Sequence, residues 1–75
     1  MITLKEIQTR IAEAIKQSGL TQTDLAKRLG IGQATISHYI KGDKMPALDT
    51  FANLCAVLDL DANDILCIDE YDKAN

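Results

Sequence analysis

The sequence lacks any long hydrophobic run. Its 75 residues contain no stretch close to the roughly 18 apolar residues that a membrane-spanning helix needs. Residues 1–6 alternate apolar with polar side chains, which is not the pattern of a secretory signal peptide. We therefore expect no membrane association and a cytoplasmic location.

Cysteine is also scarce. Cys55 and Cys67 lie twelve positions apart in apolar segments, and the chain has one histidine, so no zinc-binding spacing is present. We expect no metal or cofactor and two buried free thiols. A disulfide, including one between subunits through Cys67, is the alternative.

The chemistry of an enzyme active site is missing as well. The single histidine has no evident nucleophile to serve as a general base, and there is no glycine-rich phosphate loop. We therefore expect no catalytic residues and no enzymatic activity.

Acidic side chains outnumber basic ones in the whole chain, but the basic ones are concentrated in its first part. The net charge is −3, yet residues 1–46 hold seven basic and four acidic side chains, whereas residues 47–75 hold one and seven. Such asymmetry permits a basic face and an acidic face on one small domain. The length allows a single domain, which we assign to residues 1–68, followed by a short acidic tail at 69–75.

Helical periodicity is abundant. Apolar spacing and capping residues predict helices over about 4–18, 22–29, 33–41 and 48–58, and Asp61 with Asp64 opens a short fifth helix. The fold class is therefore all-α with five helices. The side chains predicted to face the core in helices one, three and four are Leu4, Ile7, Ile11, Ala14, Ile15, Ile36, Tyr39, Ile40, Leu48, Phe51, Leu54, Cys55 and Leu58.

The second and third helices are joined by only about three residues, 30–32. So short a connection forces a sharp crossing, and Gly30 can take the positive φ that it needs. The outward side chains of the third helix form one stripe of short polar groups, with Ala34 among them and Lys41 at the end. Donors and acceptors without bulk or negative charge suit the base edges of a major groove.

These residues resemble a known family. The runs 20–30 and 31–42 are similar to the helix-turn-helix of phage repressors (Cro/C1, Xre-type), and the resemblance continues through Pro46, Phe51, Leu54 and Ile65. It implies a five-helix, lambda-repressor-like DNA-binding domain with the helix-turn-helix at helices two and three. In this chain Gly32 replaces a usual polar residue, and Ile40 replaces a usual Glu.

The resemblance also implies which residues touch DNA. Gln33, Ala34 and His38 match positions that face bases, and Thr35 and Ser37 lie at the margin. Gln22 would bind a phosphate at a helix N-terminus, and Lys41 and Lys44 lie near the phosphate backbone. Ile15 and Ile40 occupy the positions of an Arg–Glu pair in the family, so we expect these two side chains to touch.

A homodimer is expected from the end of the domain. Ile65, Leu66, Cys67 and Ile68 are four consecutive apolar residues, and one helix cannot bury all of them against its own domain. The predicted function is a sequence-specific transcriptional regulator, most simply a repressor, that binds an inverted repeat in double-stranded DNA. The alternative is an antitoxin-type module on the same fold that binds a protein partner through the acidic C-terminal end.

Overall fold

A computed structural model of the chain describes residues 1–69. That part of the chain forms five α-helices and no β-strand: α1 (Leu4–Gln17), α2 (Gln22–Leu29), α3 (Gln33–Lys41), α4 (Leu48–Leu58) and α5 (Ala62–Ile65). The predicted all-α class and helix order are confirmed, and α1 ends one residue earlier than predicted. Residues 70–75 of the predicted acidic tail lie outside the described residues, so the division at residue 68 stays a prediction.

Side chains at the helix starts explain why the elements begin where they do. The Thr3 hydroxyl accepts a hydrogen bond from the Glu6 backbone N–H at 3.2 Å, and Thr21 accepts from Asp24 at 3.1 Å. Asp61 caps α5 in the same manner. Each bond satisfies a backbone donor that has no partner within the helix. The capping residues read from the sequence are thus confirmed for three helices.

The turn between α2 and α3 depends on Gly30. Its φ of +69° lies in the left-handed region, where a side chain would be strained. The Gly30 N–H donates to the carbonyls of Ala26 and Lys27, and the Ile31 N–H donates to the Ala26 carbonyl at 3.0 Å. These bonds close the end of α2 and direct α3 sharply across it.

The core lies where the first four helices converge. The four largest fully buried side chains come one from each: Ile11, Leu25, Ile36 and Leu54. The third helix packs against both α1 and α2, and its Ile36 and Tyr39 belong to the buried core. Because these side chains anchor its inner face, the opposite face of α3 is turned toward solvent.

Two predicted core positions are wrong. Leu4 is 66% exposed and Leu48 is 84% exposed. Each is the first residue of its helix, and helical side chains point back toward the N-terminus, beyond the last layer of core contacts. Helical spacing placed them on the correct stripe but could not show where the core ends. Ile7, Ala14, Ile40 and Leu58 are partly buried around the core.

The short α5 is attached to α1 by a polar contact. Arg10 donates from Nη1 to the Asp64 carbonyl oxygen at 2.8 Å and to the Asp64 carboxylate at 3.2 Å. A helix of four residues has little intrinsic stability, so such tertiary contacts hold it in place. This contact joins residues 54 positions apart in the chain and was not predicted from the sequence.

Both cysteines are free and buried, as expected from the sequence. Burial raises the pKa of the Cys55 thiol, and the nearby Asp61 carboxylate raises it further. A raised pKa keeps this thiol protonated and unreactive near neutral pH. In the described part of the chain, no helix is both long and apolar enough to span a membrane.

Candidate nucleic-acid interface

The outer face of α3 carries all five side chains that the sequence assigned to base contact. Gln33, Ala34 and His38 are exposed, whereas Thr35 and Ser37 are half-buried at the edges of the stripe. Ile36 is 0% exposed and Tyr39 4% exposed on the opposite side, and they fix the rotation of the helix about its axis. The five are therefore brought together on one surface, with the two marginal residues at its sides.

Gln33 is held in position by the preceding helix. The Thr23 hydroxyl donates to the Gln33 side-chain carbonyl oxygen at 3.1 Å. This bond spans the turn, from the start of α2 to the start of α3. It leaves the Gln33 NH2 group and one carbonyl lone pair available, which are the groups that a two-point contact to adenine uses.

His38 has a partner of its own on this face. Its Nδ1 lies 2.8 Å from the Asp43 carboxylate, and both side chains are about half exposed, at 48% and 55%. The left-handed Gly42 ends α3 and returns the chain so that Asp43 comes back beside the helix. Sequence reasoning did not find this pair, although a His and an Asp five apart across a helix-ending glycine were the available signal.

The side chains assigned to phosphate contact lie at the start of α2, at the end of α3 and in the loop that follows α3. Gln22 is the first residue of α2 and is half-buried beside the free backbone N–H groups of that helix end. Lys41 is the last residue of α3, and Lys44 lies in the loop that follows, and both are exposed. A helix N-terminus and lysine side chains both favour anions, which is the chemistry that a phosphate backbone requires.

Tyr39 is a core residue rather than a ligand-binding one. Burial raises the pKa of its phenol, and the Asp49 carboxylate raises it further. The ring is therefore neutral and contributes packing beneath the stripe. Its neighbour Ile40 is partly buried against the same core, and α1 packs on α3 as the expected Ile15–Ile40 contact requires. That specific contact stays a prediction.

The four residues assigned to a dimer interface differ in burial. Ile65 and Cys67 are each 5% exposed and belong to the interior of the chain itself, whereas Leu66 is half-buried. Ile68 is 43% exposed, one of the few large apolar side chains at the described surface. Ile65 and Cys67 therefore have almost no surface to offer a partner, contrary to the assignment of all four residues to an interface, and only Ile68 and part of Leu66 face solvent. The dimer itself stays a prediction.

Comparison with known proteins identifies the class. A family model described as helix-turn-helix matches residues 11–65, which include α2, α3, α4 and α5 in full. The chain belongs to this Xre-like helix-turn-helix family, and it is a DNA-binding domain of the kind used in transcription regulation. The resemblance seen in the sequence is thereby confirmed.

The similar proteins include an antitoxin and two transcriptional regulators. The chain is 41% identical to the antitoxin HipB of Escherichia coli K12, over 69% of this chain and 64% of the antitoxin. It is 32% identical to the HTH-type transcriptional regulator ImmR of Bacillus subtilis, over 88% of this chain and 52% of ImmR. An uncharacterized HTH-type transcriptional regulator of Archaeoglobus fulgidus is 34% identical, over 85% of this chain and 90% of the relative.

The matches have limits in length. The matched region spans 60% and 64% of two HipB antitoxins, from different Escherichia coli strains, so more than a third of each lies outside it. No solved structure matches the chain significantly.

Proposed function

We propose that this chain is a transcriptional repressor that inserts α3 into the major groove of an inverted-repeat operator. The observation that supports this is the outer face of α3, where Gln33, Ala34 and His38 lie exposed and adjacent. The helix itself contains no acidic residue that would repel phosphate. Gln33 and His38 would discriminate bases, with Thr35 and Ser37 contributing at the margins.

Phosphate contacts would set the position of the domain on DNA. Gln22 lies at the start of α2, Lys41 at the end of α3 and Lys44 in the loop after it. These residues would meet the sugar–phosphate backbone while α3 enters the groove. This arrangement separates contacts that position the protein from contacts that read sequence. A repressor must reach the genome, so the proposal implies that the chain lies in the cytoplasm.

Two copies would bind together. A single α3 reaches too few base pairs for specific affinity, and a two-fold dimer places a second α3 about 34 Å away, one helical turn along the DNA. Ile68 and the exposed part of Leu66 are the surface that we assign to this contact, with Ile65 and Cys67 supporting it from below.

Binding-site selection from random duplex DNA tests the proposal. We expect an enriched inverted repeat and an affinity that falls steeply as salt rises. Gln33→Ala should cost about 1–3 kcal/mol on the preferred site and relax the preference at one base pair of each half-site. Asn53→Ala, which removes an exposed side-chain amide from α4, is the matched control and should leave the selected motif unchanged. Selection that returns no motif contradicts the proposal.

A second function is favoured by one comparison. The 41% identity to HipB antitoxins supports an antitoxin-type role as the alternative. In that role this chain would bind a partner protein and also regulate its own promoter. The acidic residues 69–75 would offer a protein-binding segment. A Gln33→Ala/His38→Ala double variant separates the two. A repressor loses all function, whereas an antitoxin loses DNA binding and still captures its partner.

A further inference from the structure

We infer that Asp43 sets which base His38 reads, by holding the neutral imidazole in the tautomer that presents a hydrogen-bond acceptor to the groove. The inference rests on the proposed function, in which α3 enters the major groove. It assigns to Asp43 a positioning role in specificity, although the residue lies outside α3 and carries the same sign of charge as DNA.

The position of the ring proton follows from the contact. His38 Nδ1 is 2.8 Å from a carboxylate oxygen of Asp43. An ionised carboxylate can only accept a hydrogen bond, so the proton of a neutral ring must lie on Nδ1. The second ring nitrogen, Nε2, then carries a lone pair and acts as an acceptor.

The backbone makes this arrangement preorganised. The Asp43 N–H donates to the His38 carbonyl oxygen at 3.3 Å, and the Gly42 N–H donates to the same oxygen at 3.0 Å. Asp43 is thus tied to His38 through both its main chain and its side chain. The loop therefore holds the carboxylate beside the ring before any DNA arrives.

An outward acceptor restricts the choice of base. In the major groove adenine offers its N6 amino group and cytosine its N4 amino group as donors, whereas guanine presents only the N7 and O6 acceptors. His38 with the proton on Nδ1 therefore favours adenine or cytosine and opposes guanine. The sequence left this open, since either tautomer was then available to the ring.

Because of its negative charge, Asp43 should not increase the affinity of the protein for DNA. The exposed lysines on this segment, Lys41 and Lys44, attract phosphate, whereas the carboxylate of Asp43 between them repels it. Its removal should strengthen binding to random DNA. The same removal should weaken discrimination at the His38 base pair, and these opposite effects distinguish positioning from general electrostatics.

Nuclear magnetic resonance tests the tautomer directly. The chain has one histidine, so its two ring ¹⁵N resonances are assigned without ambiguity. At a pH where the ring is neutral, we expect the proton on Nδ1 in the wild-type protein and a shift toward the Nε2–H form in Asp43→Ala. A wild-type ring with its proton on Nε2 overturns the inference.

Binding-site selection tests the consequence. Wild-type protein should favour adenine or cytosine over guanine by about tenfold at one base pair, and both His38→Ala and Asp43→Ala should lose that preference. Glu13→Ala, which removes an exposed carboxylate from α1, is the charge-matched control and should retain it.

These experiments distinguish a failure of the inference about Asp43 from a failure of the proposed function. If His38→Ala changes one base pair and Asp43→Ala changes none, the inference is wrong and the proposed function stands. If wild-type protein selects no motif, both are wrong. A uniform gain of affinity in Asp43→Ala with unchanged base preference also overturns the inference, because it reduces Asp43 to an electrostatic role.

Discussion

Replacing Thr23 with Val removes the hydroxyl that holds the Gln33 amide and leaves the shape of the side chain nearly unchanged. The bond is 3.1 Å long and lies at the surface between α2 and α3. Thr23 makes no contribution to the buried core, so the variant should fold and lose at most the free energy of this one surface hydrogen bond. The effect should appear only when the Gln33 amide must meet a base in a defined orientation.

The expected loss of affinity follows from the free energy of this hydrogen bond. A neutral hydrogen bond contributes about 0.5–1.5 kcal/mol, so losing the one that orients Gln33 should weaken binding to the preferred site about two- to tenfold. Truncating Gln33 itself should cost more, about 1–3 kcal/mol, because the base contact is then lost altogether. In a Thr23→Val/Gln33→Ala double variant the first change should add almost nothing, since its partner is already absent.

Fluorescence anisotropy with the selected operator and with a scrambled duplex measures these affinities. Thr9→Val is the matched control, because the Thr9 hydroxyl bonds only the Lys5 carbonyl of its own helix α1. Equal losses on both duplexes, or additive losses in the double variant, would refute the view that Thr23 orients a base-reading amide.

Four further predictions address the phosphate contacts, the core, the Ile15–Ile40 contact and the dimer. Lys44→Ala should weaken binding to all duplexes similarly and reduce the slope of log affinity against log salt by about one, which a salt titration measures; a loss confined to one sequence would contradict the assignment. Ile36→Ala should lower the free energy of unfolding by about 2–5 kcal/mol, whereas Ile40→Ala, at a half-buried side chain, should lower it by only about 1–2 kcal/mol. Urea denaturation measures both losses, and equal losses would contradict the observed burial. If Ile40 touches Ile15, adding Ile15→Arg should recover part of the stability that Ile40→Glu loses. Ile68→Glu should leave the fold intact and shift sedimentation at micromolar concentration toward monomer, and an unchanged profile would count against the dimer surface.

Local patterns account for most of what sequence reasoning predicted correctly. Three helices have the predicted bounds to the residue, because Thr21 and Gly30 mark the limits of α2 and Gly42 ends α3 through local chemistry. The exposure of the outward stripe of α3 was also predictable. Once Ile36 and Tyr39 face the core, helical geometry alone places Gln33 and His38 on the other side.

Positions at the edges of the core were not predictable in the same way. Leu48 lies on the apolar stripe of α4, yet it is exposed, because the core ends before the first turn of that helix. The four apolar residues 65–68 likewise differ in burial, since the backbone at Cys67 takes a positive φ of 65° and turns its side chain inward. Burial at such places depends on which neighbours arrive from elsewhere in the chain.

The sequence by itself determined the helices, the turn between α2 and α3, and the chemistry of the outward stripe, because capping, glycine conformation and helical spacing act over a few residues. Only the tertiary structure decided how that stripe is held. The Thr23–Gln33 and His38–Asp43 bonds and the attachment of α5 by Arg10 each join groups whose distance depends on how the chain packs. Hydrogen bonds require a definite separation and direction, and periodicity along one helix specifies neither for residues beyond it.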